Sequence, residues 1–311
     1  MDGFAPLTLG RRRRLASSIS CRGVGLHSGA PITLTLRPGA SGEGIVFHRT
    51  DIGVTIPARH DLVVDTRLCT ALGLPDQPEA RVGTVEHVMA ALAAAGVDDA
   101  VIELDGEEVP ILDGSAEPFL FLIECAGMVD QPGPRRSIEV LRSVRVQDAQ
   151  GAWAELSPNP ETAFDATLSI DFAGTAIGRQ DFALRVSAET FRDELAAART
   201  FTLAEDISRL RAAGLAQGGG LHNAVVVDGP LVLNPGGLRS ADEFVRHKLL
   251  DVVGDLALAG HPIIGRFSGH RSGHALNNQL LRTLLADRSA WRFTGGAMVI
   301  EEAAGRVSVA A

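Results

Sequence analysis

Residues 241–259, with the sequence ADEFVRHKLLDVVGDLALA, place apolar side chains three and four positions apart and so predict an amphipathic helix. Within this stretch His247 and Asp251 lie four residues apart. Residues at that spacing share one face of a helix, so the imidazole and the carboxylate can reach a single cation. The helix therefore carries part of a candidate metal site.

A second histidine opens another apolar helical pattern, at 84–95. His87 would complete a set of two histidines and one carboxylate, which is a ligand set of catalytic zinc sites. Such a site keeps one position for water, and the neighbouring Glu86 is placed to take its proton, as in a hydrolase. Taken singly, each pair is more often a surface hydrogen-bonded pair or an acidic helix start favoured by the helix dipole.

The composition is that of a globular protein with a small-molecule partner. The chain has 311 residues, 45% hydrophobic and 22% charged, enough to bury one large core or two smaller ones. A formal net charge of −9 argues against non-specific binding to nucleic acid, which needs clustered lysine and arginine. We expect two domains.

The cysteines and the N-terminal sequence indicate a cytoplasmic protein. Cys21, Cys69 and Cys125 are odd in number and form no Cys-x-x-Cys pair, so we expect reduced thiols rather than disulfides or a thiolate zinc site. The arginine run at 11–14 is followed by a segment too short and polar for a signal peptide, and no membrane span is indicated. The run predicts a solvated segment, with a lipid-surface or nucleic-acid patch as alternatives.

Strand and helix periodicities succeed one another along the chain. Alternation predicts strands at 32–36, 100–104, 137–146, 164–172 and 224–228, and helical spacing predicts helices at 84–95, 116–126, 187–197, 204–213, 241–259 and 275–287. Capping boxes, in which a hydroxyl and a carboxylate satisfy the first amides of a helix, are predicted at 202–205 and 240–243.

The segment 130–136, DQPGPRR, predicts a linker because two prolines and a glycine interrupt both periodicities. Each half then runs from strands into a helix that opens with a charged residue and a histidine, which suggests an old duplication. The metal would lie at the junction of two related domains, where ligand pockets are often found.

Two glycine-rich segments remain. The segment 265–278 carries His270, Arg271 and His274, and predicts either a loop that approaches a ligand closely or an ordinary flexible turn. The segment 217–220, QGGG, lacks the Gly-Lys-Ser/Thr ending of a phosphate loop and predicts a hinge or turn.

Seven sequence blocks, in order over nearly the whole chain, resemble the signature blocks of the bacterial UDP-3-O-acyl-N-acetylglucosamine deacetylases. They are GVGLHSG at 23–29, DTRLCT at 65–70, TVEH at 84–87, DGSAEPF at 113–119, ARTF at 198–201, EFVRHKLLDVVGDL at 243–256 and SGHALNN at 272–278. The resemblance implies a zinc amidase that removes acetate from the 2-amino group of UDP-3-O-(3-hydroxyacyl)-N-acetylglucosamine. This is the committed step of lipid A (lipopolysaccharide) biosynthesis in Gram-negative bacteria.

The resemblance also implies a cofactor and a role for each matching residue. The cofactor is one catalytic Zn²⁺, with Fe²⁺ as an alternative in the cell, held by His87, His247 and Asp251. The other expected roles are Glu86 as general base, His274 as general acid, Asp255 as its orienting carboxylate, Thr200 as a hydroxyl near the substrate carbonyl and Lys248 as a cation at the edge of the site.

Substrate contacts are expected from Leu68, Cys69, Phe201 and Arg271. Arg271 keeps the charge of the lysine that many relatives carry there, and it takes on more of the diphosphate because Ala152 stands where the family often has another lysine. An insertion at about 201–227 is expected to enclose the acyl chain with Ile207, Leu210, Leu215 and Leu221. The partner is the acylated UDP-sugar, with no nucleic acid, no stable membrane insertion and a monomeric enzyme.

The fold that the resemblance implies is α+β, with two similar domains. Each is a layered α/β sandwich, and the two pack helix to helix with the active site between them. The first domain would span 1–131 and supply Glu86 and His87, and the second would span 132–311 and supply the other site residues and a βαβ insertion.

Two other functions are compatible with the same residues. One is another zinc amidase that acts on a different acetylated substrate, such as a peptide or a nucleoside, although the chain lacks the His-Glu-x-x-His pattern of common metalloproteases. The other is a non-catalytic nucleotide-sugar binder with structural zinc. The presence of both Glu86 and His274 argues against the latter, because a closed structural site needs neither.

Overall fold

The computed structural model of the chain describes residues 10–295, and its fold is α+β as predicted. The helices in this range are α1 (Glu86–Ala95), α2 (Glu117–Ala126), α3 (Ala188–Thr190), α4 (Ala204–Ala212), α5 (Glu243–Ala257) and α6 (His274–Ala286). A π-helical turn follows α3 at Phe191–Leu195. None of the helices within 10–295 has the length and apolar character that crossing a bilayer requires.

Ten strands come before residue 135. They are β1 (Arg11–Leu15), β2 (Ile19–Val24), β3 (Pro31–Pro38), β4 (Ile45–Arg49), β5 (Val54–Pro57), β6 (Val63–Asp65), β7 (Ala71–Leu74), β8 (Gln77–Val82), β9 (Ala100–Leu104) and β10 (Met128–Pro134). They form a five-stranded sheet in the order β2-β3-β9-β4-β5, a three-stranded sheet β6-β7-β8 and a ribbon β1-β10. Helices α1 and α2 pack against each other, and α2 contacts β2 of the larger sheet.

Ten more strands follow residue 136. They are β11 (Ser137–Val140), β12 (Val144–Gln147), β13 (Trp153–Ser157), β14 (Phe164–Phe172), β15 (Gly178–Val186), β16 (Phe201–Leu203), β17 (Val225–Asp228), β18 (Leu231–Val232), β19 (Ile263–His270) and β20 (Trp291–Thr294). Seven of them form a sheet in the order β12-β13-β19-β11-β20, with β14 pairing to β19 and to β15. Helix α5 packs on β14, and α6 packs on β12 and β13.

The predicted βαβ insertion is present. Strands β16 and β17 pair in parallel and α4 connects them, while β18 adds an antiparallel edge. The loop after α4 is tied to the N-terminal half, since the amides of Gln217 and Gly218 donate to the carbonyl oxygens of His27 and Leu26 at 3.2 and 3.1 Å. A Cβ at Gly218 would lie 2.2 Å from the carbonyl oxygen of Gly25, so only glycine fits this contact. The predicted turn at 217–220 is therefore an anchored one.

Helices α1 and α5 touch backbone to backbone. A Cβ built on Gly254 of α5 would lie 2.0 Å from the carbonyl oxygen of Glu86 in α1, a distance at which no side chain fits. Around this point Leu249, Leu250 and Val252 of α5 are buried. The absence of a side chain at Gly254 lets the start of α1 approach the middle of α5, and this approach positions the site described below.

The two predicted capping boxes are wrong. Helix α5 begins at Glu243 with Asp242 at the N-cap and no capping side chain, because the buried Glu243 carboxylate accepts from Arg199 and from the amide of Arg239 instead. Helix α4 also lacks a capping side chain, since Thr202 before it belongs to β16. Tertiary partners have replaced the local ones in the first case.

The predicted linker and the predicted solvated arginine run are strands of one ribbon. Strand β10 pairs antiparallel with β1, and each supplies backbone partners to the other. Prolines are tolerated because β10 has a partner along one edge only. Arg12 of β1 also donates to Asp99, a carboxylate with no exposure to solvent, at 2.6 Å. Most of the predicted linker is therefore regular structure, whereas the arginine run, exposed at Arg11 and half-buried at 12–14, is solvated in part.

The glycine-rich segment at 265–278 is largely regular structure. Strand β19 runs to His270 and α6 begins at His274, so only the three residues between them form a turn. Arg271 in that turn adopts a left-handed φ of 53°. The division into domains at 131/132 stays a prediction, and the outer ends of those domains, residues 1–9 and 296–311, lie outside the described residues.

Candidate active site

Three predicted ligands converge where α1 crosses α5. His87 comes from the first turn of α1, and His247 and Asp251 come from one face of α5. Their donor atoms all lie within 4.8 Å of one another. Nε2 of His87 and Nε2 of His247 lie 3.6 and 3.5 Å from Oδ1 of Asp251. All three side chains are buried, so the arrangement matches a small enclosed cation site.

The surroundings of these groups fit a divalent metal ion. Oδ1 of Asp251 is buried and has no hydrogen-bond partner among the described residues, which is costly for a carboxylate unless a cation satisfies it. Nδ1 of His247 donates to the carbonyl oxygen of Ala198 at 3.0 Å, and this bond turns Nε2 toward the cluster. Burial lowers the pKa of His247 to about 4, so the ring is neutral, the form that binds metals.

Lys248 lies at the edge of the cluster. Its Nζ donates to Oδ2 of Asp251 at 2.7 Å, which leaves Oδ1 free for a ligand role. Although burial raises the pKa of Asp251, the charge of Lys248 holds that pKa well below its usual range. The carboxylate is therefore ionised.

Glu86 and His274 face each other across the cluster. Oε1 of Glu86 lies 3.9 Å from Nε2 of His274, and this Nε2 lies 4.0 Å from Oδ2 of Asp251. Burial raises the pKa of Glu86. A potential proton acceptor and a potential proton donor therefore border the same small space. This arrangement allows one proton to be taken up there and another to be donated.

Asp255 orients His274. Its Oδ2 accepts from Nδ1 of His274 at 2.9 Å and from Nδ2 of Asn277 at 2.8 Å. Burial alone would lower the pKa of His274, but the charge of Asp255 and the hydrogen bond to it raise that pKa to about 9. The first turn of α6 would disfavour an imidazolium, so the carboxylate supplies the compensation that a protonated ring needs here.

An apolar cavity of about 300 Å³ opens beside the cluster. Its lining includes Leu68, Thr200, Phe201, Ile207, Leu210 and Leu221. The ring of Phe201 lies 6.2 Å from that of His247, centroid to centroid, so the cavity adjoins the candidate metal ligands. The βαβ insertion forms much of the wall, and Leu26 and His27 of the N-terminal half complete it.

Three residues expected at the substrate lie apart from this cavity. Leu215 and Cys69 are not among its lining residues, and burial raises the pKa of the Cys69 thiol to about 12. Arg271 is exposed on the turn before α6 and also does not line the cavity. Of the four expected substrate contacts, the structure therefore brings Leu68 and Phe201 together at the cavity.

Comparison with known proteins identifies the family of this chain. The family model described as UDP-3-O-acyl N-acetylglycosamine deacetylase matches residues 12–286. The chain belongs to this family. The deacetylase of Chromobacterium violaceum is 48% identical over 286 residues, which cover 91% of this chain and 92% of that protein. Those of Acidithiobacillus ferrooxidans and Neisseria meningitidis are 48% and 46% identical, over 91% and 90% of this chain and 92% of each relative. All three are named UDP-3-O-acyl-N-acetylglucosamine deacetylase.

Sequence reasoning missed three groups in this member of the deacetylase family. Thr70 contacts both Glu86 and Asp255, and Ala198 contributes only its carbonyl oxygen. Asn277 binds Asp255. A signal existed for Asn277, because it lies three residues after His274 and so shares its helix face. No local pattern marks Thr70 or Ala198, since their partners are distant in sequence.

Proposed function

We propose that this chain hydrolyses the N-acetyl group of UDP-3-O-(3-hydroxyacyl)-N-acetylglucosamine to the free 2-amine and acetate, in lipid A biosynthesis. One observation carries the proposal: a buried ligand triad with an acceptor and a donor at its side adjoins an apolar cavity. An amidase of an acylated sugar needs both parts. The family and the names of the relatives support the same reaction.

The cofactor in this proposal is one Zn²⁺ ion held by His87, His247 and Asp251, with Fe²⁺ as an alternative in the cell. Two imidazoles and a carboxylate suit either ion, and the choice depends on supply as well as on ligands. When bound, the ion supplies Lewis acidity, which polarises an amide carbonyl and lowers the pKa of a water to about 7.

Proton transfer falls to Glu86 and His274. Oε1 of Glu86 accepts the proton of the attacking water, since Oε2 already accepts a hydrogen bond from the amide of Thr70 at 3.0 Å. Nε2 of His274 points to the same space and donates a proton to the departing amine, which is a poor leaving group when unprotonated. Asp255 keeps Nδ1 of that ring protonated and fixes its plane.

Thr200 and Lys248 support the substrate in this proposal. Thr200 lies at the cavity wall two residues after Ala198, which binds His247, so its hydroxyl is available to a substrate carbonyl. A donor aimed at the charge that develops on that oxygen is worth about 3 to 4 kcal/mol. Lys248 adds positive charge at the edge of the site, and Arg271 is the proposed contact for the diphosphate.

The apolar cavity is the proposed place of the acyl chain. Each methylene buried there contributes about 0.8 kcal/mol, so several together favour long-chain substrates. Leu68 and Phe201 line the cavity, and Cys69, which follows Leu68 in the chain, stays a proposed substrate contact outside this lining. We further propose a monomeric cytoplasmic enzyme with domains at 1–131 and 132–311.

The test is acetate release from the acylated UDP-sugar by the purified chain, with and without a chelator, and by Glu86→Gln. The variant keeps the shape of the carboxylate but cannot accept a proton, so we expect about one metal ion per chain and a kcat lower by about 10²- to 10⁴-fold. Arg209→Ala, on the exposed face of α4, is the control and should match the wild type.

Three results would contradict parts of this proposal. Acetate release that survives complete metal removal would exclude a catalytic metal. Full turnover by Glu86→Gln would exclude this residue as the base. Release from other acetylated sugars or peptides, but not from the acylated UDP-sugar, would identify a different amidase.

A further inference from the structure

The segment 65–70 is held in a sharply turned conformation beside the site. Asp65 accepts from the amide of Arg67 at 3.0 Å and from the guanidinium of Arg81 at 3.2 Å. Leu68 then adopts a left-handed φ of 68°, which an L-residue takes up only when its surroundings hold it there. The chain consequently turns inward after Leu68, whose side chain stays at the cavity, and Thr70 is 1% exposed.

Thr70 binds both helices of the site. Its amide donates to Oε2 of Glu86 at 3.0 Å, and its carbonyl oxygen accepts from the amide of Val85 at 3.2 Å. Its hydroxyl donates to Oδ1 of Asp255 at 2.6 Å, across 185 positions of sequence. One residue thus reaches the start of α1 through its backbone and the end of α5 through its side chain.

We propose that Thr70 is a positioning residue that selects which oxygen of each carboxylate faces the reaction, a role that rests on the proposed function. By occupying Oε2 of Glu86 it leaves Oε1 toward His274. By occupying Oδ1 of Asp255 it leaves Oδ2 for the Nδ1 proton of His274. The proton acceptor and the proton donor are therefore aligned by a single residue.

The physical reason is the two-fold freedom of a carboxylate about its last bond. Asn277 and His274 both bind Oδ2 of Asp255, so neither prevents the group from tilting. The hydroxyl of Thr70 provides the opposing contact. Without the hydroxyl of Thr70, Oδ1 stays buried with no donor. Rotation of the carboxylate away from His274 and toward another donor then lowers its free energy.

The experiment compares Thr70→Val with Thr70→Ser. Valine keeps the shape and removes the hydroxyl, and loss of a hydrogen bond to a charged group predicts a kcat lower by about ten- to a hundredfold. The KM should stay within about twofold and the metal content at one ion per chain, because no substrate or metal contact is lost. Serine restores the hydroxyl and should bring kcat to within about threefold of wild type. Thr50→Val is the matched control, because it removes a hydroxyl that donates to the carbonyl oxygen of Leu104 at 3.0 Å, and β9 supplies no residue of the site. This variant should leave kcat unchanged.

The same substitution in a His274→Ala background separates positioning from general damage. If Thr70 acts through Asp255 on His274, Thr70→Val should lower the remaining kcat by no more than about twofold there. If Thr70→Val does not fold, Thr70→Ala removes the same hydroxyl with less crowding and takes its place in both comparisons.

The outcomes distinguish this inference from the proposed function. A wild type that releases no acetate overturns the function and this role with it. An active wild type with full kcat in Thr70→Val, with no rescue by serine, with lost metal in Thr70→Val, or with an undiminished effect in the His274→Ala background overturns the role of Thr70 alone.

Discussion

The crossing of α1 and α5 and the βαβ insertion β16-α4-β17 differ in almost every physical respect. At the crossing, backbones touch at Gly254, and the charged groups Glu86, Asp251 and Asp255 are buried with specific partners. In the insertion, α4 has no buried residue and turns apolar side chains toward a cavity. Bond-making groups need fixed positions, whereas an alkyl chain needs only apolar volume. In the proposed reaction these two demands fall to separate parts of the fold.

At the crossing of α1 and α5, the largest effect is expected from removal of a proposed metal ligand. Asp251→Ala removes one oxygen from the triad. Loss of a residue that only hydrogen-bonds a metal ligand lowers metal affinity by about 10- to 100-fold, so we expect a larger fall here, together with loss of turnover. Metal content after desalting, measured beside kcat, checks this. Asp242→Ala at the N-cap of the same helix, which removes a pair with Arg246 and no metal ligand, is the control. A variant that still held stoichiometric metal would show that Asp251 is not a ligand.

A smaller change tests the contact between the helices. Gly254→Ala forces a Cβ to within 2.0 Å of the carbonyl oxygen of Glu86, so the helices must separate. We expect the free energy of unfolding to fall by about 1 to 3 kcal/mol, as for other overpacked cores, together with weaker metal binding. Chemical denaturation measures the first and metal titration the second. Gly236→Ala, where a Cβ meets nothing within 4 Å, should change neither, and equal effects in both variants would contradict the packing argument.

The smallest effect is expected in the insertion. Leu210→Ala removes apolar surface from the cavity wall without touching the triad. At about 0.8 kcal/mol per methylene, partial burial predicts a KM raised by about tenfold for a long-chain substrate, with kcat and metal content unchanged. A short-chain analogue should show little difference between variant and wild type. An equal loss for both chain lengths would mean that the acyl chain lies elsewhere.

Local pattern accounts for much of the regular structure. The predicted strands at 100–104 and 164–172 match β9 and β14, and the predicted helix at 241–259 differs from α5 by two residues at each end. His247 and Asp251 could be paired from their spacing alone, because a helix fixes their relation. That His87 joins them depends on the contact at Gly254, which no periodicity encodes.

Two of the wrong expectations share one cause, which is competition from distant partners. Glu243 was expected to cap its own helix, but Arg199 takes its carboxylate from 44 positions away. The prolines of β10 predicted a linker, yet β1 supplies the missing pairing partner. The role of Thr70 likewise depends on Asp255, 185 positions further on. Single-sequence patterns report local preference, whereas the positions of these residues follow tertiary geometry.

The anchored loop after α4 limits how this fold can be recombined. Because Gln217 and Gly218 bond to His27 and Leu26 through their backbones, the wall of the proposed acyl cavity is shared between segments almost two hundred positions apart. A graft of the insertion from a relative with another chain-length preference would therefore transfer an incomplete wall unless the turn at 25–29 moved with it. Under this proposal chain-length specificity depends on two matched segments, and a chimera that exchanges only one of them joins surfaces that do not fit each other.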